Sequence, residues 1–245
     1  MRDLDWQGIH NVRDLGQLPT ALSETGGTIP GRIARGPRRE LLTDTGWRQA
    51  RSWGLQTVID LRSDDEIGRR PADPRVDIAS ESSVAIINAP TEDHDNAEFR
   101  ETCFPILDSP AYWAHNLRIL PHLVRTTFEQ IATARAGILV HCSAGRDRTG
   151  MVSALLLGNA GVPPDVVAED YAQSVRAMAG VASHAPTHDR QATWTAKEVE
   201  TWLGETVWIV RQTAAATDDA FDTIGLAAPV RARLRALLTR VRQDD

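Results

Sequence analysis

Cysteine is almost missing from these 245 residues, with Cys103 and Cys142 the only two. Two cysteines cannot build a disulfide scaffold, and without a C-x-x-C pair the usual structural zinc site is excluded. Lysine is scarcer still: Lys197 is the single lysine among 27 basic residues. That bias is first a matter of composition, although arginine also suits bidentate gripping of phosphate. Basic charge is not in excess either. A formal net charge of -6 excludes a general nucleic-acid binder, whose affinity rests on a basic surface, so any phosphate chemistry must be local. Long apolar runs are lacking, since the longest, from Met151 to Leu157, falls far short of the about 20 residues that span a bilayer. Stable membrane insertion is therefore not expected. The start, from Met1 to Trp6, has no basic-then-apolar signal pattern. The expected location is cytoplasmic, with export by a route without a cleaved signal left open.

The chain shows no internal repeat, low-complexity tract or strong linker, and its length suits one domain over residues 1–245. The periodicity predicts an α/β fold: a central, mostly parallel sheet flanked by helices, with a helical C-terminal part. Thr43 to Trp47 reads as a capped helix start ending near Gly54, and Leu55 to Leu61 as a strand. Val84 to Asn88 reads as another strand and Ala89 to Pro110 as a surface loop. A helical stretch follows over Ala111 to Ala134, kinked or divided by Pro121. Ile138-Leu139-Val140 has the wholly apolar character of a buried parallel strand. Thr149 to Asn159 is expected to be a helix stopped by Gly161 and Pro163.

Between that strand and that helix lies His141-Cys142-Ser143-Ala144-Gly145-Arg146-Asp147-Arg148-Thr149-Gly150. A loop entering a helix carries N–H groups with no intrahelical partner, and with the helix dipole these make an anion site. Residues Ser143 to Arg148 are therefore the candidate phosphate-binding loop. The same position favours a thiolate, which makes Cys142 the candidate nucleophile. Arg148 can hold two phosphoryl oxygens while charge redistributes in the transition state. Thr149 is placed to offer its hydroxyl to the sulfur as it leaves, and His141 to order the loop by hydrogen bonding.

The motif His-Cys-x-x-Gly-x-x-Arg-Thr-Gly resembles the signature of the cysteine-dependent phosphatases, the protein-tyrosine phosphatase superfamily. Its form with Asp147 before the arginine is similar to a bacterial tyrosine and dual-specificity group, some of whose members act on phosphoinositides. The resemblance extends to Asn11-Val12-Arg13-Asp14-Leu15-Gly16, to Val58-Ile59-Asp60-Leu61-Arg62-Ser63 with Glu66, and to Asp170-Tyr171 with Ser174. It implies a tyrosine-phosphatase-like fold and two-step phosphoryl transfer through a cysteinyl-phosphate, without metal or other cofactor, on a phosphorylated protein or phosphoinositide. Asp147 is the preferred general acid, because the group is thought to use the aspartate inside the loop and no Trp-Pro-Asp element occurs. Asp93, Asp95 and Asp108 remain the alternatives on a separate loop. Arg146 stands where the group usually has lysine, which weakens the inference to phosphoinositides. Gly36 stands after Arg35 where the group often has serine.

Several residues carry a plainer reading beside a sharper one. Asp60, Arg62, Arg13 and Asp14 are read as structural ion pairs before substrate contacts. Cys103 is read as packing before a redox partner of Cys142. His184 and His188 have a ligand-like spacing, but Pro186 between them speaks against a helix and so against a metal site. Residues 176–192 are expected to form a flap, and a helical lid is expected within about 176–216. A capped helix from Thr195 to about Ala215, a short element holding Phe221 and Ile224, and a closing helix from Pro229 complete the chain. Two other functions stay open: a rhodanese-type sulfurtransferase and a catalytically silent phosphate-binding module. The oligomeric state is not readable.

Overall fold

The computed structural model describes residues 2–181 and 186–241. Five strands form one sheet: β1 (Arg13–Asp14), β2 (Ile33–Gly36), β3 (Thr57–Asp60), β4 (Ala85–Asn88) and β5 (Ile138–His141), in the order β1-β2-β5-β3-β4. Only the β1–β2 pair is antiparallel. In register, Cα partners Gly36 and Asp60 flank His141, so the ends of three parallel strands meet at the residue before Cys142.

The helices are α1 (Asp44–Trp53), α2 (Ile78–Glu81), α3 (Ala97–Cys103), α4 (Trp113–Ile119), α5 (Pro121–Thr133), α6 (Asp147–Asn159), α7 (Pro164–Met178), α8 (Ala196–Ala215), α9 (Thr217–Thr223) and α10 (Ala228–Thr239). Local chemistry sets their ends. Thr43 Oγ1 caps α1 by accepting from Gly46 N at 3.1 Å, and Gly54 closes it in the left-handed region at φ 109°. At α8, Thr195 and Glu198 form a reciprocal capping box. Pro121 stands at the start of α5, dividing the stretch after Tyr112 into α4 and α5. The segment from Ala89 to Pro110 is not all loop, because Asn96 Oδ1 accepts from Phe99 N at 2.9 Å and starts α3. The cap and the buried Phe99 and Cys103 outweigh the polar composition that suggested a loop.

Both faces of the sheet are covered, and the alternation of side chains assigns the two cores. Ile33, Ile59, Ile138 and Val140 belong to a large core shared with α4 to α10, while Ala34, Val58 and Leu139 face a smaller one built with Trp6, Trp47 and Ala50. Helix α6 contacts β2, β5, α7, α8, α9 and α10. It is buried on nearly all sides, as the apolar run from Met151 to Leu157 requires. Helix α8 packs on α6 and α7 through Val199, Leu203 and Val210. Among the described residues no helix is long and apolar enough to cross a membrane.

Candidate active site

The sequence brings Cys142 to the mouth of the sheet because β5 ends at His141 and α6 begins at Asp147. The intervening turn needs Gly145. It sits at φ +70°, and a Cβ there would lie 2.4 Å from the carbonyl carbon of Gly36. The loop thus packs directly on the backbone of Gly36 and Pro37 at the end of β2, and a Cβ on Gly36 itself would press on Val12 at 3.2 Å on another side. The loop carbonyls are held from behind. Asn11 Nδ2 donates to Ala144 O at 3.2 Å and Gly145 O at 3.3 Å, Arg35 donates to Gly145 O at 2.7 Å, and Arg38 N donates to Ser143 O at 3.1 Å. With the carbonyls turned outward, the N–H groups of Ala144 to Arg148 donate to no acceptor among the described residues. Cys142 is 3% exposed beside them.

Arg148 is fixed by carboxylates. Both of its terminal nitrogens donate to Glu66, one at 2.7 Å, and Glu92 lies 3.6 Å from its Nε. Burial opposes the charge on Glu66, but Arg148 outweighs it and holds the carboxyl below the usual range. A bidentate pair of this kind fixes the guanidinium plane. Glu92 also pairs with His94 at 3.1 Å. Burial would discharge His94, but Glu92 and Glu66 raise its pKa.

Asp147 opens α6 and lines the same cleft as Cys142, Ser143, Ala144, Arg146 and Arg148. Burial pushes its carboxyl up to about 6; Asp189 and Asp108 add to the shift and Arg146 opposes it. Arg146 Nε donates to both Asp147 oxygens at 3.0 and 3.2 Å, and its NH2 lies 3.1 Å from Asp189. Tyr171 OH adds a long contact to Asp147 at 3.4 Å. Side chain 146 therefore steadies Asp147 and the segment at 189.

The other candidate acids sit differently. Asp93 and Asp95 are exposed and line a separate groove, where Asp93 accepts from Asp95 N at 2.9 Å. Asp108 lines the cleft, but both its oxygens are taken by Arg190 at 2.8 and 2.5 Å. His141 is fully buried, and burial lowers its pKa to about 4 despite nearby Asp60. It is neutral at pH 7, with Nδ1 donating to Cys142 O at 3.0 Å. Thr149 is buried, and its hydroxyl has no hydrogen-bond partner among the described residues. Cys103 lies in the large core, its thiol pushed up to about 12 by burial and then by Glu92, which is the state of an inert thiol.

Paired charges flagged in the sequence are structural supports. Asp60 is gripped by Arg62 through both oxygens at 2.8 and 2.7 Å and by Arg39 at 2.5 Å. Arg13 binds Asp170 at 2.8 Å and Ser174 at 2.8 Å, and Asp14 accepts from the amides of Gly16 and Gly31 at 2.7 Å. Glu92, Asp189 and the supporting role of Arg35 were not foreseen. Pro186, Thr187 and Asp189 line the cleft, whereas no residue of α8 does. Of the expected flap, residues 182–185, with His184, lie outside the described residues.

A loop between a parallel strand and a helix, with free amides among the described residues and a fixed arginine, is an anion site of the kind a phosphatase needs. The chain belongs to the tyrosine phosphatase family, whose model matches residues 4–238. It is 31% identical over 191 residues to the triple specificity protein phosphatase PtpB of Mycobacterium tuberculosis, covering 68% of this chain and 67% of that one. It is 33% identical over 144 residues to a tyrosine-protein phosphatase of Nostoc commune, covering 57% and 47% of the two chains. Among solved structures, TpbA of P. aeruginosa aligns with 76% of this chain and 87% of its own at 15% identity and a TM-score of 0.37.

Proposed function

We propose that the protein hydrolyses phosphotyrosine monoesters by two displacements at Cys142, without a metal ion. The observation that carries this reading is the cup formed by the five unpaired amides of Ala144 to Arg148 and the Glu66-anchored Arg148 around the sulfur. Bound there, a phosphoryl group meets donors aimed at its equatorial oxygens. The Cys142 thiolate attacks phosphorus while the ester P–O bond breaks, and protonated Asp147 gives its proton to the leaving oxygen. Asp147, now a carboxylate, takes a proton from water as the water attacks the cysteinyl-phosphate, and the S–P bond breaks to release inorganic phosphate. Thr149, buried in the first turn of α6 with an unpartnered hydroxyl, serves as the donor to the departing thiolate once the loop closes on substrate. His141 orders the loop.

The segment at Pro186 to Asp189, tied to the loop through Arg146, acts as the cover of the site within a single catalytic domain. Phosphoserine and phosphothreonine come next as substrates, following the name of the mycobacterial relative. Phosphoinositides come last, because the guanidinium of Arg146 is spent on Asp147 and Asp189. A reducing compartment such as the cytoplasm keeps the nucleophile active.

The test is phosphate release from a phosphotyrosyl peptide, with an acid quench to trap the phosphoenzyme. Turnover and trapped phosphate should both vanish in Cys142→Ser and persist with chelator. A wild-type protein that releases no phosphate overturns the proposal, in favour of a silent phosphate-binding module or, if it transfers sulfur from thiosulfate, a sulfurtransferase.

A further inference from the structure

A second groove opens on the other side of the nucleophile loop and shares Ser143 and Ala144 with the catalytic cleft. Its walls are apolar: Pro37, Leu41, Met178 and Val181. Its charged members are the cations Arg38 and Arg70, with His10 beside them and no carboxylate in the lining among the described residues. The two arginines are not equivalent. Arg38 is neutralised by Asp73, to which NH1 donates at 2.7 Å, and its backbone N–H holds Ser143 O at 3.1 Å. Asp73 also accepts from the backbone N–H of Arg70 at 2.7 Å, so its carboxylate is already shared. The Arg70 side chain makes no hydrogen bond or ion pair among the described residues. Partial burial, and then the positive charge of Arg38, both lower its pKa. The carboxylates that act on it from a distance, Asp73 and Glu40, are already paired with Arg38 and Arg62, so the partly exposed Arg70 guanidinium keeps its donors for an incoming anion.

We propose that this groove is a subsite for an anionic side chain of the phosphopeptide, bound by Arg70 while the scissile phosphate sits over Cys142. The inference rests on the phosphatase reading above and adds the substrate class. Two features favour a peptide over a polyphosphorylated inositol. The apolar walls would lie unused against an inositol ring, but they suit the methylene stem of an acidic residue or the side chain next to it. The loop residues common to both pockets also place the second group close to the scissile one along an extended chain. The overall charge of -6 would repel acidic peptides, so a preference for them must come from a local cation. The shared chemistry is an oxyanion on the peptide, whether carboxylate or a second phosphate.

The experiment measures kcat/KM for phosphotyrosyl peptides that carry Glu or its neutral isostere Gln at each position within three residues of the phosphotyrosine. The readout is the Glu-to-Gln ratio within each protein variant. In the wild type the ratio should reach roughly three- to tenfold at one or more positions, as expected of a partly screened ion pair. It should fall to about one in Arg70→Gln and drop below one in Arg70→Glu. Phosphoserine placed at the same position should behave as Glu does, which joins the two sources of the anion; a response to phosphoserine alone would restrict the subsite to phosphate. A wild type that responds at no position to either Glu or phosphoserine overturns the subsite, as does a response kept in Arg70→Gln. So does a loss in Arg70→Gln confined to phosphoinositide hydrolysis. Equal hydrolysis of all peptides would sink this inference alone, whereas no hydrolysis of any peptide or aryl phosphate would sink the phosphatase reading beneath it.

Discussion

At the scale of single residues, the site turns on how one carboxyl is kept protonated. Asp147 occupies a half-closed pocket wall with Asp189 and Asp108 nearby, and the balance of burial and repulsion over the pull of Arg146 brings it to about 6. A general acid must carry its proton when the ester bond breaks, so kcat/KM should fall as pH rises through about 6. Asp147→Asn should remove that limb and lower kcat/KM by about 10²–10⁴, with the loss growing as the leaving group becomes a poorer one. A pH profile in Asp147→Asn that keeps its limb near 6 would show that Asp147 is not the acid. The meeting of Cys142 and Arg148 in one loop was legible because loop and helix start are contiguous in sequence. Glu66 was flagged only through resemblance, and Glu92 and Asp189 not at all. Their meaning depends on distances to Arg148 and Arg146 that tertiary packing sets.

At the scale of elements, the N-terminal segment and β2 act as a back plate for the loop. Asn11, Arg35 and Arg38 between them hold the carbonyls of Ser143, Ala144 and Gly145, and Gly145 packs on the backbone of Gly36. At Gly36 itself a side chain would crowd Val12, a constraint that the sequence alone did not supply. Gly145→Ala should strain a left-handed backbone and force the loop off Gly36. The cost should be about 1–3 kcal/mol in stability and, since displacements near 1 Å at a reacting centre can cost about 100-fold, at least about tenfold in kcat/KM. Urea titration and steady-state kinetics on the same sample check both parts. Strands β3, β4 and β5 and helices α1, α6 and α8 were legible from apolar runs and caps. β1 and β2 were not, because Arg13 and Arg35 are polar residues whose ion pairs with Asp170 allow them to be buried, as hydrogen bonds from the amides of Gly16 and Gly31 do for Asp14. Helix α7 also escaped, since its Pro163-Pro164 start reads as a stop for α6 before it reads as a beginning.

At the scale of the whole molecule, two buried ion networks tie the chain together across long sequence separations. Asp170 of α7 gathers Arg2, Arg13 and Arg35, and Asp60 of β3 gathers Arg39 and Arg62, with Glu40 as a second acceptor for Arg62. Burial disfavours ionising either aspartate, yet the surrounding arginines win and hold both carboxyls far below the usual range. The folded state then refuses protons that the unfolded chain accepts near pH 3.9. The stability these pairs contribute is complete above about pH 5 and is lost as pH falls below about 4. Between those values two other groups nearly offset each other. His141, lowered to about 4, costs stability as pH drops below about 6.5, whereas Asp147, raised to about 6, returns it. Denaturant midpoints should therefore stay nearly level from pH 6 to 4 and fall steeply below. Asp170→Asn leaves Arg13 and Arg35 buried without their counter-charge and should cost about 3–5 kcal/mol at pH 7. Because the unfolded wild-type chain takes up a proton at this aspartate in acid while the folded one does not, the gap between the two proteins should narrow below pH 4, as followed by urea titration across pH; a gap that stays constant down to pH 2 would show that Asp170 is not the ionised hub.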